Sequence, residues 1–457
     1  MGTFDGLSVA LSGLAAQRTA LDVAGQNIAN ANTDGYSRQR VLMTSVGAPA
    51  VAGIWSGRSF TGGVSVTGVD RLRDALLETR GQQAHGALSD LSASEAVIGQ
   101  VEQLFPEPSD NGLAAALSDM WSAFHDVANQ PGDTGTRNAL LQSAATVTDW
   151  LNETSARLTA LSGDVLSQAR TDLDQVNALA GQIADLNVSI MRARDGQMPT
   201  NELADQRDLL AMKLADLVGG VATVDTNDQM RVMVGGMPLV EGDRSRAMAL
   251  NGSGSGLAWS WAADGSPVQA TGGELKGFVS AITSSLPAWS ARLDSVASAL
   301  ATSVNALHGT GFDLDGAAGG AFFTGTTAAT IGVAVTDPRK VAASAVAPGA
   351  GGPSLDAGVA TSIAKLAASA TGADSVYHSL VADVAQTSQT VSRRVTTQGT
   401  VASTIDTARE SQAGVNVDEE MASILTFQRA YEASSRVLNA VDQMLDTLIN
   451  RTGMVGR

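Results

Sequence analysis

Large apolar residues near the start of the chain fall at Leu7, Leu11, Leu14, Leu21 and Ile28, with Arg18 and Gly25 on the same row, so the intervals alternate four and three. That alternation is a heptad, the period of a helix that lays one seam along a partner helix. Near the other end it recurs through Ile424, Phe427, Tyr431, Ser434, Leu438, Val441, Leu445 and Leu448. The two ends of one chain thus carry matching coiled-coil seams. The second helix has a start signal as well: Asn416 as cap, Glu419 three residues later, and Asp418 and Glu420 where the helix dipole favours negative charge.

Helical spacing returns between the ends over residues 76–104 and 113–161, and through Val176, Leu179, Ile183, Leu186 and Ile190. After Gly219 the texture changes to short alternating runs such as 230–234, punctuated by Gly235, Gly236 and the Gly-rich run 252–256, which predicts a β-rich insertion. A helical pattern resumes over 275–307, breaks in the Gly-rich stretch 309–325 and the Ala, Gly and Pro stretch 346–353, and returns from Ala357 onward. The predicted fold is mainly α with a β-rich inserted domain, elongated and multidomain, its N- and C-terminal helices pairing as a coiled coil.

Composition narrows what such a chain does. Aromatics make up 4% and charged residues 16% of the 457 residues, which favours helix seams and small-residue contacts over aromatic-lined pockets. The net charge of -17 argues against a nucleic-acid partner, because phosphate binding needs clustered cations. Lys occurs only at Lys213, Lys276, Lys340 and Lys365, and the arginines are scattered, so no basic stripe is expected to hold a membrane surface. Without Cys there are no disulfides or thiolate sites. No basic leader with an apolar run opens the sequence and no stretch is apolar enough to span a membrane, so the expectation is a cytosolic protein or one exported without a cleaved signal. Before Glu78 there is neither Lys nor Glu, and the polar face of the first helix is Ser, Thr, Gln and Asn. Such a face suits a helix covered by protein on several sides.

The stretch from Asn27 through Ile28, Asn30, Asn32, Gly35, Tyr36, Ser37 and Arg38 to Gln39, with Ser12-Gly13-Leu14 before it, resembles the signature of the flagellar rod, hook and hook-associated proteins. Tyr36-Ser37-Arg38-Gln39 narrows the resemblance to members at the junction of hook and filament. At the far end Gly414-Val415-Asn416-Val417-Asp418-Glu419-Glu420, then Phe427-Gln428-Arg429-Ala430-Tyr431, is similar to the same family's C-terminal motif. Weaker likeness lies at 63–69, 129–131 and 205–208, and Asp34 stands where the family usually has Pro. The turn chemistry has its own reading, since Asn, Asp and a Gly at positive φ end the first helix in a fixed turn.

The resemblance implies a structural subunit whose residues 1–55 and 405–457 form the terminal coiled-coil domain that polymerises, with 56–218 and 357–404 as a helical rod-like domain and 219–356 as an exposed β-rich middle region. It further implies secretion through the flagellar export apparatus. Implied partners are a ring of its own copies, the hook protein, a second hook-associated junction protein and an export chaperone on the C-terminal helix. No cofactor, nucleic acid or membrane is implied. A rod or hook subunit is the nearest alternative, and a flagellum-associated cell-wall hydrolase the more distant one.

Enzyme chemistry finds little support. His85, His125, His308 and His378 share no metal-ligand spacing and read as surface or helix-packing residues. Asp313-Leu314-Asp315-Gly316 hints at a calcium loop but lacks the closing Glu, so a turn is expected. Asp418, Glu419 and Glu420 are helix-start residues rather than a glycosidase pair.

Overall fold

The computed structural model describes residues 3–46, 62–349, 352 and 354–447. The chain opens with α1 (Thr3–Ala29), then a hairpin of β1 (Gln39–Ser45) and β2 (Val64–Arg71), followed by α2 (Ala75–Glu102), α3 (Leu113–Asn129), α4 (Thr134–Asp195) and α5 (Asn201–Val218). β1 and β2 pair antiparallel, from Gln39 opposite Arg71 to Ser45 opposite Val64, with a bulge at Leu42/Met43.

A strand-rich region follows. β3 (Val221–Val224), β4 (Met230–Val234), β5 (Met237–Glu241) and β6 (Arg244–Ser245) make an antiparallel meander, and β7 (Met248–Asn251) and β8 (Ala258–Trp261) a separate hairpin. α6 (Glu274–Ser280) runs through a π turn into α7 (Leu286–His308). β9 (Phe323–Thr324), β10 (Gly332–Val333) and α8 (Gly358–Ala364) lead to the two long closing helices, α9 (Ala373–Ala413) and α10 (Val417–Asp446).

Two helical expectations are corrected. The stretch 113–161 is not one helix: it stops at Asn129, turns at Pro131-Gly132, and restarts behind Asp133, whose carboxylate accepts from the Gly135 and Thr136 amides. From there α4 runs 62 residues without a break and absorbs the separate segment read at 176–190. Its interior glycines, Gly163 and Gly181, face open space, so they cost propensity without creating a packing fault. The hairpin formed by β1 and β2 lies where only helix was expected.

One continuous core extends from Ala93 to Val384 and takes in α2, α3, α4, α5, α7 and the strand-rich region, including Val232, Leu239, Val240 and Trp261. Side-chain amides tie strands and loops to the helices. Asn187 and Asn177 on α4 each both donate to and accept from backbone groups, at Met230 and Met248, and Asn305 on α7 does the same at Phe323. Neither α1 nor α10 contributes to that core.

Where α2 crosses α6 the backbones meet on glycine. A Cβ at Gly277 would sit 2.6 Å from the Asp90 carbonyl oxygen and 2.8 Å from Ala93 Cβ. Gly277→Ala is therefore expected to cost roughly 1–3 kcal/mol by overpacking, read as a lowered melting temperature of the full chain. An unchanged melt would mean that the crossing has room to spare.

Candidate assembly interface

α1 and α10 lie antiparallel. The Cα face of Gly6 abuts Val441, that of Gly13 abuts Ser434, and Ala20 and Asn27 share a groove with Phe427 and Glu420. Each step is seven residues on both helices, so the pairing keeps a heptad register.

The row that α1 gives to its partner is not the leucine row. It is the row one residue earlier: Gly6, Ala10, Gly13, Gln17, Ala20, Ala24 and Asn27. Ala10, Ala16, Ala20, Val23, Ala24 and Asn27 are all buried. Shifting a helical row by one residue rotates it by about 100°, which leaves Leu7, Leu14, Leu21 and Ile28 half-buried at the side and Leu11 51% exposed. On α10, Val441 is buried, Ile424, Phe427, Ser434, Leu438 and Leu445 are half-buried, and Tyr431 is exposed. Leu448 lies outside the described residues.

The motif residues form a polar clip at the root of this pair. The buried Asn27 carboxamide accepts from the Gln39 amide at 2.9 Å and from the Tyr36 hydroxyl at 2.8 Å, and donates to the Gln39 carbonyl at 2.9 Å. Burial, with the negative charge of Asp205 and Glu420 nearby, pushes the Tyr36 phenol up to about 12, so it stays a donor. Gly35 adopts φ 80°, a conformation that favours glycine, and its Cα faces Leu209 of α5. Asn30 closes the helix end on the Gln26 carbonyl and accepts from Thr33, while Asn32 is exposed.

Arg38 joins the two ends of the chain. Its amide donates to the Ala413 carbonyl, and its guanidinium donates to Glu420 at 2.7 Å and Glu419 at 2.8 Å. Burial disfavours the charge on Arg38, but the two carboxylates outweigh burial and raise its pKa. Asn416 caps α10 by accepting from the Asp418 and Glu419 amides. The cap turns both glutamates toward Arg38. The helix-start reading of Asp418, Glu419 and Glu420 is thus half the account, since two of the three also bind a cation from the other end.

Further polar groups anchor the clip to α5, and most of them carry no signal in a single sequence. The Ser37 amide donates to Asp205, Asn201 donates to Gln39 Oε1 and the Val69 carbonyl, and Arg71 donates to Asp205 at 2.8 Å and Asp208 at 2.7 Å. Arg73 bridges Asp208 to Glu78, and Arg409 of α9 binds Glu78 and Asp406. Residues 205–208, a weak likeness in sequence, are a hub in three dimensions.

His85 on α2 lies between Asp216 of α5 and Asp406 of α9. Asp216, although the longer contact at 3.5 Å, does most to hold the imidazole pKa up at about 9, and Asp406 adds a 2.9 Å hydrogen bond. Ser89 donates to Asp216, and Arg409 shares Asp406. The folded chain binds this proton more tightly than the unfolded chain does, so the contribution is complete below the ordinary histidine pKa of about 6.5 and is lost as pH rises through about 9. Between pH 7 and 10 the native chain should lose more melting temperature than His85→Gln. Parallel curves would show that the bridge adds no stability.

The remaining ionisable candidates are accounted for locally. His308 is not a surface residue. It is buried, with Nε2 accepting from the Ala342 amide and Nδ1 donating to the Gly320 carbonyl, and burial lowers its pKa. His125 and His378 are exposed. Asp313 accepts from the Asp315 and Ala317 amides in a tight turn, and Lys340 and Arg339 neutralise the two carboxylates. Among the described residues no group of three or more His, Asp and Glu is arranged to hold a metal ion, and no helix is long and apolar enough to cross a membrane.

Comparison with known proteins matches the chain to three families: "Flagellar hook-associated protein FlgK helical domain" over residues 98–323, "Flagella basal body rod protein" over 7–36, and "Flagellar basal body rod FlgEFG protein C-terminal" over 408–451. It is similar to flagellar hook-associated protein 1 of Bacillus subtilis (strain 168), 28% identical across 100% of this chain and 99% of the relative. It is also similar to the protein of that name in Escherichia coli (strain K12), 27% identical across 96% and 98%. Among solved structures, the flagellar hook junction protein FlgK from Burkholderia pseudomallei shares the fold, with a TM-score of 0.65 at 17% identity over 74% of this chain and 100% of that one.

Proposed function

We propose that this chain, which belongs to the flagellar hook-associated protein 1 family, serves as a structural subunit of the hook–filament junction by polymerising through its paired terminal helices. The observation that carries the polymerisation is the unfilled face of that pair. α1 spends its small-residue row on α10 and leaves its leucine row at the side, while Met421, Leu425, Val437 and Met444 of α10 are each about half exposed. Helices that expose this much apolar surface are completed by other helices.

In this reading neighbouring copies cover the leucine row and the sparsely charged polar face, and the hook protein and a second junction protein cover the two ends of the ring. Before assembly an export chaperone shields the apolar side chains of α10, and the chain leaves by the flagellar export apparatus. The middle region, residues 219–356, turns loop tips outward at Gly236 and Asp243 while its inner face stays on the shaft. The chain acts as a scaffold without turnover.

A rod or hook subunit is the second reading, favoured only by the short terminal matches; the helical-domain match over 98–323 favours the junction. A strain lacking this chain should carry hooks without filaments in electron micrographs, and the native chain supplied from a plasmid should restore them. Filaments of ordinary number and length in the deletion strain would refute the junction role.

A further inference from the structure

The terminal helix pair takes no part in the main core, so something other than apolar burial must fix its direction relative to the helical shaft. The polar chain that begins at the clip and crosses β2, α5, α2 and α9 lies at that joint. It alternates in sign, Asp205–Arg71–Asp208–Arg73–Glu78–Arg409–Asp406. From Asp205 to Glu78 every side chain is less than one-fifth exposed. Charges so withdrawn from water are held in place by their partners, because losing one partner strands the next charge.

Asp208 is the midpoint. It takes Arg71 and Arg73, both from the segment that leaves the hairpin, and it stands on the helix that follows the long α4. Asp205 next to it takes Arg71 and the Ser37 amide, and so holds both strands of the hairpin base on one turn of α5. Resting on the junction reading above, we infer that Asp205 and Asp208, with Arg71, Arg73, Glu78 and Arg409, are positioning residues that form an ionic elbow, setting the angle at which the hairpin and terminal helices leave the shaft. Seven charges in one chain of contacts form a rigid joint only when all are present. The elbow makes its subunit contacts indirectly, by aiming the helices that do.

The chain has no cysteine, so two introduced thiols would be its only labelling sites. Spin labels at Ser65→Cys on the hairpin and Thr171→Cys on α4, in labelled full-length protein co-assembled with an excess of unlabelled native chain, report the elbow angle as a distance distribution. The native chain should give one narrow distribution, Asp208→Asn a broadened and shifted one, and Asp208→Glu, which keeps the charge, a narrow one again. The shaft should stay folded in all three, with native helical circular dichroism, and Asp208→Asn supplied to the deletion strain should restore fewer filaments than the native chain. A narrow native-like distribution in Asp208→Asn would overturn the elbow, as would equal broadening in Asp208→Asn and Asp208→Glu. Failure of the native chain to restore filaments would instead overturn the junction reading and leave the distance result standing.

Discussion

Cells whose only copy carries Leu438→Asp or Leu445→Asp are expected to build hooks and no filaments. Both side chains belong to the half-buried row of α10, with one flank against α1 and one open. In the proposed assembly a neighbouring copy would cover the open flank, and each leucine would then stabilise by about 1.5–3 kcal/mol. An aspartate there forfeits that burial and brings a carboxylate into an apolar seam, where charge is disfavoured by more than the leucine contributed. One lesion per subunit is repeated around the ring, so the loss multiplies. The shaft should stay folded, with native helical circular dichroism, because neither residue touches its core. Normal motility in both mutants would show that this row is not an assembly surface.

Limited proteolysis of the isolated full-length monomer should trim α1 and α10 quickly and stop at a resistant core made of the shaft. Of the thirty residues of α10, only Glu420 and Val441 are buried. A helix that buries so little within its own chain gains little against the backbone entropy of ordering it, about 1–2 kcal/mol per residue. The interface between α1 and α10 cannot make up the difference, since alanines and glycines offer little apolar area. Ordering of the ends and polymerisation become one step. A monomer that resists cleavage throughout α1 and α10 would refute that coupling.

The same small-residue row shows why the sequence was legible in part. Two terminal helices with heptad spacing could be read directly, as could the Asn416 cap, whose side chain takes the two amides its position suggests. The register within α1 could not. A pattern search weights large apolar side chains and finds Leu7, Leu11, Leu14, Leu21 and Ile28, yet close approach of two backbones selects Gly6, Ala10, Gly13 and Ala20. Size marks what is available to bury, and the partner decides which row is used.

Length and topology were misread for related reasons. The helical stretches read as 113–161 and from Val176 onward left a gap inside α4, but the helix runs through it without a break. Alternating residues at 64–69 were noted only as a family likeness, and their pairing with β1 depends on partners 19 to 28 positions away. The polar chain at Asp205 and Asp208 lies still further out of reach. Bonded neighbours within it are separated by up to 331 positions and meet only because α2, α5 and α9 converge.

The uninterrupted length of α4 has a mechanical consequence. At 1.5 Å per residue its 62 residues span about 93 Å. Its C-terminal end leads directly into α5, which carries Asp205 and Asp208, and its N-terminal end lies against α3, with Arg137 donating to the Val341 carbonyl, at the opposite pole. A tilt of about 5° at the α5 end would sweep that pole through roughly 8 Å, more than one full pitch of an α-helix. A strained junction between two lattices of different spacing could then be accommodated by small rotations at one end of each subunit, with each shaft acting as a lever arm and its interior packing left undisturbed.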